Sequence, residues 1–355
     1  MPNFQFHISG LTKSELGRWR RLHRRGRRPA ITLTLLAAAV GAVYAIKQNL
    51  SPVIAVSQVT QTVPPRRVVQ TVPPSGSTGV AVCAPFVFFL DQKYGEDPLF
   101  SLEATNPLGI KSDMADRARL KVLHSHQGNS IVIIAPTRAY PANTKITATI
   151  VQKDALGNIL TAPSEFITGN RPSREVEEWG SFEWGEYFTG QGDFDFVTEK
   201  GDIRSRDGKT IALFSTGRVL GKSALAGTTS LISSNPIRLP SNNLQLEFDY
   251  NFVSSEFDQY VGTRYDDAFL MVLSGPRGMT AHMVTSVNQV GKENSVAMSF
   301  PGMPEANELP PQHTDWRKFA IDADVGRPAC LTFVVTDVGD SRFTSVVALG
   351  ALRVK

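Results

Sequence analysis

The stretch LEFDYNFVSSEFDQYVGTRYDDAFLMVLSGP, residues 246–276, decides how this chain is read. Its first part alternates. Phe248, Tyr250 and Phe252 fall on one face of an extended segment, and Glu247, Asp249 and Asn251 on the other. Successive side chains of a strand point to opposite faces, so this is the pattern of a half-buried strand. Ser254 to Arg264 is a polar excursion, after which Ala268-Phe-Leu-Met-Val-Leu273 turns apolar again. Two strands joined by a long polar loop predict a β-sandwich with binding residues at its rim, because loops on a rigid scaffold are where binding groups concentrate.

The same pattern extends outward. Thr210–Phe214, Leu244–Phe252, Ala268–Ser274, Ala281–Val287, Arg317–Ile321, Ala329–Thr336 and Ser345–Val354 read as strands, with no long amphipathic helix among them. Over 171–355 this predicts a two-sheet jelly roll whose strands alternate between core and solvent. Upstream, short β-branched or aromatic runs recur at Phe86–Leu90, Ala118–Val122, Ser130–Ile134, Lys145–Gln152 and Glu165–Ile167, separated by turn signals such as Asn106-Pro107 and Gln127-Gly128-Asn129. They predict a smaller sandwich over 81–170. Its stretch Ala135-Pro-Thr-Arg-Ala-Tyr-Pro-Ala-Asn-Thr-Lys-Ile-Thr147 resembles bacterial Ig-like domains. The expected fold class is all-β, an Ig-like sandwich followed by a larger jelly roll, with one N-terminal transmembrane helix.

That helix is expected at 29–46, PAITLTLLAAAVGAVYAI, which carries no charge and has about the minimum length for crossing a bilayer. Residues 1–28 form a basic tail. Through residue 30 there are eight Lys/Arg against Glu15 alone, a net of +7, whereas the whole chain carries +4; the remainder is therefore about −3. The basic cluster Arg24-Arg25-Gly26-Arg27-Arg28 predicts a cytoplasmic N-terminus and an exported C-terminal side. The folded part is not basic, so no nucleic-acid partner is expected. Val43-Tyr44-Ala45 also fits a signal-peptide cleavage site, and this alternative stays open. Residues 47–80 are Pro-rich, with the repeated unit Gln61-Thr-Val-Pro-Pro65 and Gln70-Thr-Val-Pro-Pro74, and read as a semi-rigid stalk.

Residues 246–276 resemble the L-type choice-of-anchor family of bacterial surface domains. Glu256, Tyr260, Val261-Gly262, Tyr265, Asp267, Phe269 and Ser274-Gly275-Pro276 carry the likeness. The resemblance implies an envelope-attached surface sandwich. It departs from the family at Thr344-Ser345, where an Asp-Ser pair is usual, and in its anchor, expected here at the N-terminus rather than in a sorting tail after Lys355.

The candidate chemistry follows the polar excursion. Glu256, Asp258, Asp266 and Asp267 form an oxygen-rich cluster of the kind that suits Ca²⁺, although not at EF-hand spacing, and solvated loop acids are the alternative. Glu256, Asp258, Tyr260, Arg264 and Tyr265 are the candidate ligand-binding residues. Asp337 and Asp340 are further candidates beside Glu183. Glu247 and Asp249 share a strand face, but no opposing carboxylate is identifiable, so a glycosidase is a minor alternative and no catalytic residue is assigned. His124 and His126 would share a face without a third ligand. Cys83 and Cys330 form a disulfide or remain two buried thiols. Trp184, Tyr187 and Phe188, with Trp179 and Phe182, form core or sugar-stacking surface. The expectation is a non-enzymatic, membrane-anchored extracytoplasmic binding or adhesion protein for a glycan or envelope partner. A structural subunit of an envelope or secretion assembly is the alternative.

Overall fold

Nine strands make the first sandwich: β1 (Val68–Val72), β2 (Ser77–Val80), β3 (Phe86–Leu90), β4 (Leu99–Thr105), β5 (Lys111–Asp113), β6 (Ala118–His124), β7 (Ser130–Pro136), β8 (Lys145–Lys153) and β9 (Ile159–Thr168). They form a four-stranded sheet β1-β3-β7-β6 and a five-stranded sheet β2-β9-β8-β4-β5. β2 and β9 are parallel, and the other pairs are antiparallel. Phe86 stacks on Phe166 at 4.5 Å, so the even-numbered residues of β3 lie against the five-stranded sheet with Ile146, Ala148 and Ile150. Tyr140 closes the corner between β7 and β8. Its ring meets Phe166 at 5.9 Å, its N–H donates to the Val82 carbonyl, and burial pushes its phenol well above the usual range.

The computed structural model describes residues 68–90, 98–124, 129–153, 159–169, 183–221, 229–238, 243–263, 266–303, 310–337 and 343–354. The expected transmembrane segment at 29–46 lies outside them; among the described residues no helix is long and apolar enough to cross a membrane. One expectation is corrected. Residues 68–80, read as the end of the stalk, are the first two strands of the sandwich. Pro73 and Pro74 stand between these strands, in the turn where a missing N–H breaks no ladder bond. Val72 and Val80 are buried in the core.

The second sandwich contains β10 (Phe188–Gln191), β11 (Asp193–Val197), β12 (Glu199–Lys200), β13 (Ile203–Arg204), β14 (Ile211–Ser215), β15 (Thr229–Ser234), β16 (Asn243–Ser254), β17 (Ala268–Gly275), β18 (Gly278–Ser286), β19 (Val296–Ala297), β20 (Gln312–His313), β21 (Arg317–Asp324), β22 (Cys330–Thr336) and β23 (Ser345–Val354). Two one-turn helices accompany them, α1 (Trp184–Tyr187) and α2 (Val287–Val290). One sheet runs β10-β15-β22-β17-β18. The other runs β11-β14-β23-β16-β20-β19, with β21 also paired to β16. An aromatic core fills the space between, where Phe248 meets Phe333 at 5.0 Å and Phe214 meets Phe269 at 6.0 Å.

The central strands of the sheet β10-β15-β22-β17-β18, namely β15, β22 and β17, do not alternate between core and solvent as the sequence reading expects. Every residue of β17 and of β22 is buried. Phe269, Met271 and Leu273 enter the aromatic core, while Leu270, Val272, Val334 and Leu231 pack against the four-stranded sheet of the first sandwich. Covering both faces turns the amphipathic pattern into a continuous apolar run. Each such side chain contributes about 1.5–3 kcal/mol on burial.

Polar bonds fix the register of this junction. Ser274 Oγ donates to the Pro136 carbonyl at 2.7 Å, and Lys121 Nζ to the Ala281 carbonyl at 3.0 Å. Gly275 follows where a Cβ would lie 2.6 Å from the Val325 carbonyl oxygen, so only glycine fits. These contacts account for Ser274 and Gly275 at this position. A Cys83–Cys330 disulfide joins the segment before β3 to the start of β22. Residues 64–355 accordingly form one compact unit.

Two outcomes follow. Leu270→Ala and Met271→Ala, on opposite faces of β17, should each cost about 2–5 kcal/mol in urea unfolding. A loss below about 1 kcal/mol for Leu270→Ala alone would show that its face is not buried. Reduction, or Cys83→Ser with Cys330→Ser, should lower stability by about 2–5 kcal/mol; an unchanged Tm in reductant would contradict the cross-link.

Candidate functional site

The sequence-predicted acids gather at one rim of the second sandwich. Ser254, at the end of β16, pairs with Ser345, and Ala268, at the start of β17, pairs with Thr336. Glu256, Asp266, Asp267 and Asp337 lie just beyond these pairs and are all buried. Their backbone and side chains are built into the rim. The Glu256 carbonyl accepts from Tyr260 N–H at 3.0 Å, and its own N–H donates to Ser254 Oγ at 3.1 Å. Asp266 Oδ1 accepts from the Asn288 N–H at 2.9 Å, and the Asp267 carbonyl from the Val287 N–H at 3.0 Å.

Asp258 stands apart from this group. It is ion-paired to Lys292 at 2.8 Å and accepts a hydrogen bond from Gln312 Nε2. Tyr260 packs on Phe343 with ring centroids 4.9 Å apart. Asn288, on α2, binds the 260–263 turn from below through the Gly262 N–H and the Thr263 carbonyl. It was not singled out in the sequence, because its contact crosses between distant segments. Arg264, Tyr265, Asp340, His126, Trp179 and Phe182 lie outside the described residues. Among the described residues no three or more His, Cys, Asp or Glu side chains are arranged to hold a metal ion. Trp184 and Phe188 are core, with ring centroids 5.0 Å apart, while Tyr187 is half-buried. His124 is exposed and bonded to Ser130 Oγ at 3.2 Å.

A second site lies on the outer face of the larger sheet, away from the core. Glu247 and Asp249 project from it on β16 and are only 6% and 7% exposed. Arg353, directly opposite Glu247 on β23, forks across both carboxylates, with Nη1 3.1 Å from Glu247 Oε1 and Nη2 3.2 Å from Asp249 Oδ2. Lys318 reaches the same Glu247 oxygen at 2.9 Å. The hydrogen bond and charge of Asp249, with those of Glu247, raise the Arg353 pKa against the opposing effect of burial.

Beside this network the β16–β23 register shifts between Phe248 and Tyr250, so Gly350 and Ala351 bulge against Asp249. A bulge of this kind re-aims neighbouring side chains. Trp316 lies over the bulge; a Cβ on Gly350 would come within 3.1 Å of its ring. The tryptophan follows Asp315, whose φ of 57° is left-handed and whose Oδ1 accepts from the Trp316 N–H at 2.7 Å. Arg206 sits 6.0 Å from the ring centroid. Together Arg206, Asp207, Asp249, Trp316, Lys318, Gly350, Ala351 and Arg353 line a groove of about 340 Å³. The sequence offered Glu247-x-Asp249 as its one signal; Arg353 and Trp316 are 60 or more residues away and join only through sheet pairing.

The chain matches no family model, and no curated protein matches it significantly. Among solved structures it is similar to PcoC, a copper resistance protein from Escherichia coli. The two are 17% identical, with 29% of this chain and 98% of PcoC covered, at a TM-score of 0.22. A likeness of that size carries no argument about the site.

Removing Arg353 would take the bridging guanidinium from two nearly buried carboxylates. Arg353→Ala should therefore cost about 1–3 kcal/mol, discounted for the partial exposure of the arginine. Adding Asp249→Asn should restore part of the loss in urea unfolding. A neutral Arg353→Ala variant would contradict the fork.

Proposed function

We propose that this chain is a membrane-tethered extracytoplasmic binding or adhesion protein, with an Ig-like sandwich carrying a jelly roll of the choice-of-anchor kind. The observation that carries the reading is the Cys83–Cys330 disulfide, which staples one sandwich to the other. Structural disulfides persist in oxidising compartments and are rare in the cytosol. The uncharged 29–46 stretch behind a basic cluster supports the same direction of export.

Strand order supports the finer fold assignment. In the first sandwich β1-β3-β7-β6 faces β9-β8-β4-β5, the order of strands ABED against GFC and C′ in an Ig-type sandwich. In the second, β14-β23-β16-β21 faces β15-β22-β17-β18, the order of two interleaved Greek keys in an eight-stranded jelly roll. The binding end in this reading is the rim that bears Glu256, Asp258 and Tyr260. Its support is the packing that pins the 254–263 segment through Asn288, Lys292 and Phe343. A pre-ordered loop loses less entropy on binding a partner.

The test is fractionation of bacterial cells expressing the full chain. Expected are a membrane-associated protein beginning at Met1, digestible by protease added outside spheroplasts, and thiols that react with maleimide only after reduction. A cytosolic protein with freely reactive thiols would overturn export, and a mature N-terminus at Ile46 would overturn the tether. Calcium, expected from the sequence at the rim, is tested with the same purified protein. A rise in Tm when Ca²⁺ is added after EDTA treatment supports it, and an unchanged Tm removes it.

A further inference from the structure

Resting on the reading of the chain as a binding protein, we propose that the groove on the outer face of the larger sheet is a binding site for a neutral saccharide. Four observations lead there. The groove, at about 340 Å³, falls within the size range of small-molecule sites and opens on the side of the sheet that faces away from the first sandwich. One wall is the ring of Trp316, held in place by the left-handed Asp315 before it and by the bare Cα of Gly350 beneath it. A sugar ring presents apolar C–H groups to such an indole, which is large, flat and amphipathic.

Asp249 supplies the polar half of the site. It is 7% exposed and held by Arg353 through Oδ2, while Oδ1 accepts no hydrogen bond among the described residues. A fixed carboxylate oxygen beside a guanidinium offers an acceptor and donors at adjacent points, which matches a pair of vicinal hydroxyls. Local charge selects against anions. Arg206, Lys318 and Arg353 are balanced by Asp207 and Asp249 in the lining and by Glu247 behind them. A polyanion would meet as many carboxylates as cations, whereas an uncharged polyol meets alternating donors and acceptors.

The test is calorimetric titration of the full-length protein in detergent with a panel of neutral hexose and N-acetylhexosamine oligosaccharides. At least one should bind, with affinity reduced tenfold or more in Trp316→Ala and in Asp249→Asn. Trp316→Phe should retain part of the binding, which distinguishes lost stacking from lost folding. Gly350→Ala, which displaces the indole, should weaken binding while leaving a cooperative thermal transition. Binding unaffected by Trp316→Ala and Asp249→Asn would overturn the proposal. If such binding were instead lost in Asp258→Asn, glycan recognition would belong to the rim and the groove would be excluded. Absence of binding across the panel would also overturn the proposal, and leaves the fractionation result as the separate measure of export and tethering.

Discussion

The sheet β10-β15-β22-β17-β18 is covered on both faces, and the rest of the architecture follows from that constraint. On one side it carries half of the aromatic core around Phe248, Phe269 and Phe333. On the other it presents Leu231, Leu270, Val272 and Val334 to the four-stranded sheet of the first sandwich. Neither sandwich could be withdrawn without exposing a face built to be dry. The Cys83–Cys330 bond, the Ser274–Pro136 hydrogen bond and the Lys121–Ala281 contact all cross this one junction. They convert a large apolar contact, which is tolerant of sliding, into a single register.

With one sheet enclosed, polar recognition falls to the surfaces that remain. The seven-stranded sheet keeps an outer face, where Glu247, Asp249, Lys318 and Arg353 form a charge-balanced network beside Trp316. Burying carboxylates is costly unless each is matched by a cation and by hydrogen bonds. Arg353 meets that requirement by bridging two of them from the neighbouring strand. The rim formed by 254–263, 266 and 267 is the other polar surface, and it is held by Asn288 from α2 and Phe343 from the segment just before β23.

A bulge and two backbone exceptions shape the outer-face groove. Gly350 admits the indole of Trp316, and Asp315 adopts a left-handed conformation that its own side chain caps. Left-handed backbone at a non-glycine residue carries a cost of the order of 1 kcal/mol. Here the cost is spent where a tryptophan lines the recess while it packs against the apolar cluster around Leu213, Val253 and Val346.

The sequence by itself determined the all-β character, the position of most strands and the alternating face of β16, because period-two patterning is a local property of the chain. It also gathered Glu256, Asp266 and Asp267 into one segment, since their proximity is a matter of a dozen residues. What it could not carry was how faces are shared. The stalk-like Val68–Val80 became two strands because a distant sheet offered edge partners, Phe88 and Leu90 for β1 and Phe166 for β2. The apolar run of β17 became a two-sided strand because another sandwich covered it. The groove needed Asp249 from β16, Gly350 and Arg353 from β23, joined by pairing across about a hundred residues, and Trp316 from the segment just before β21. Such contacts are set by which faces exclude water together, and that is decided only when the sheets assemble.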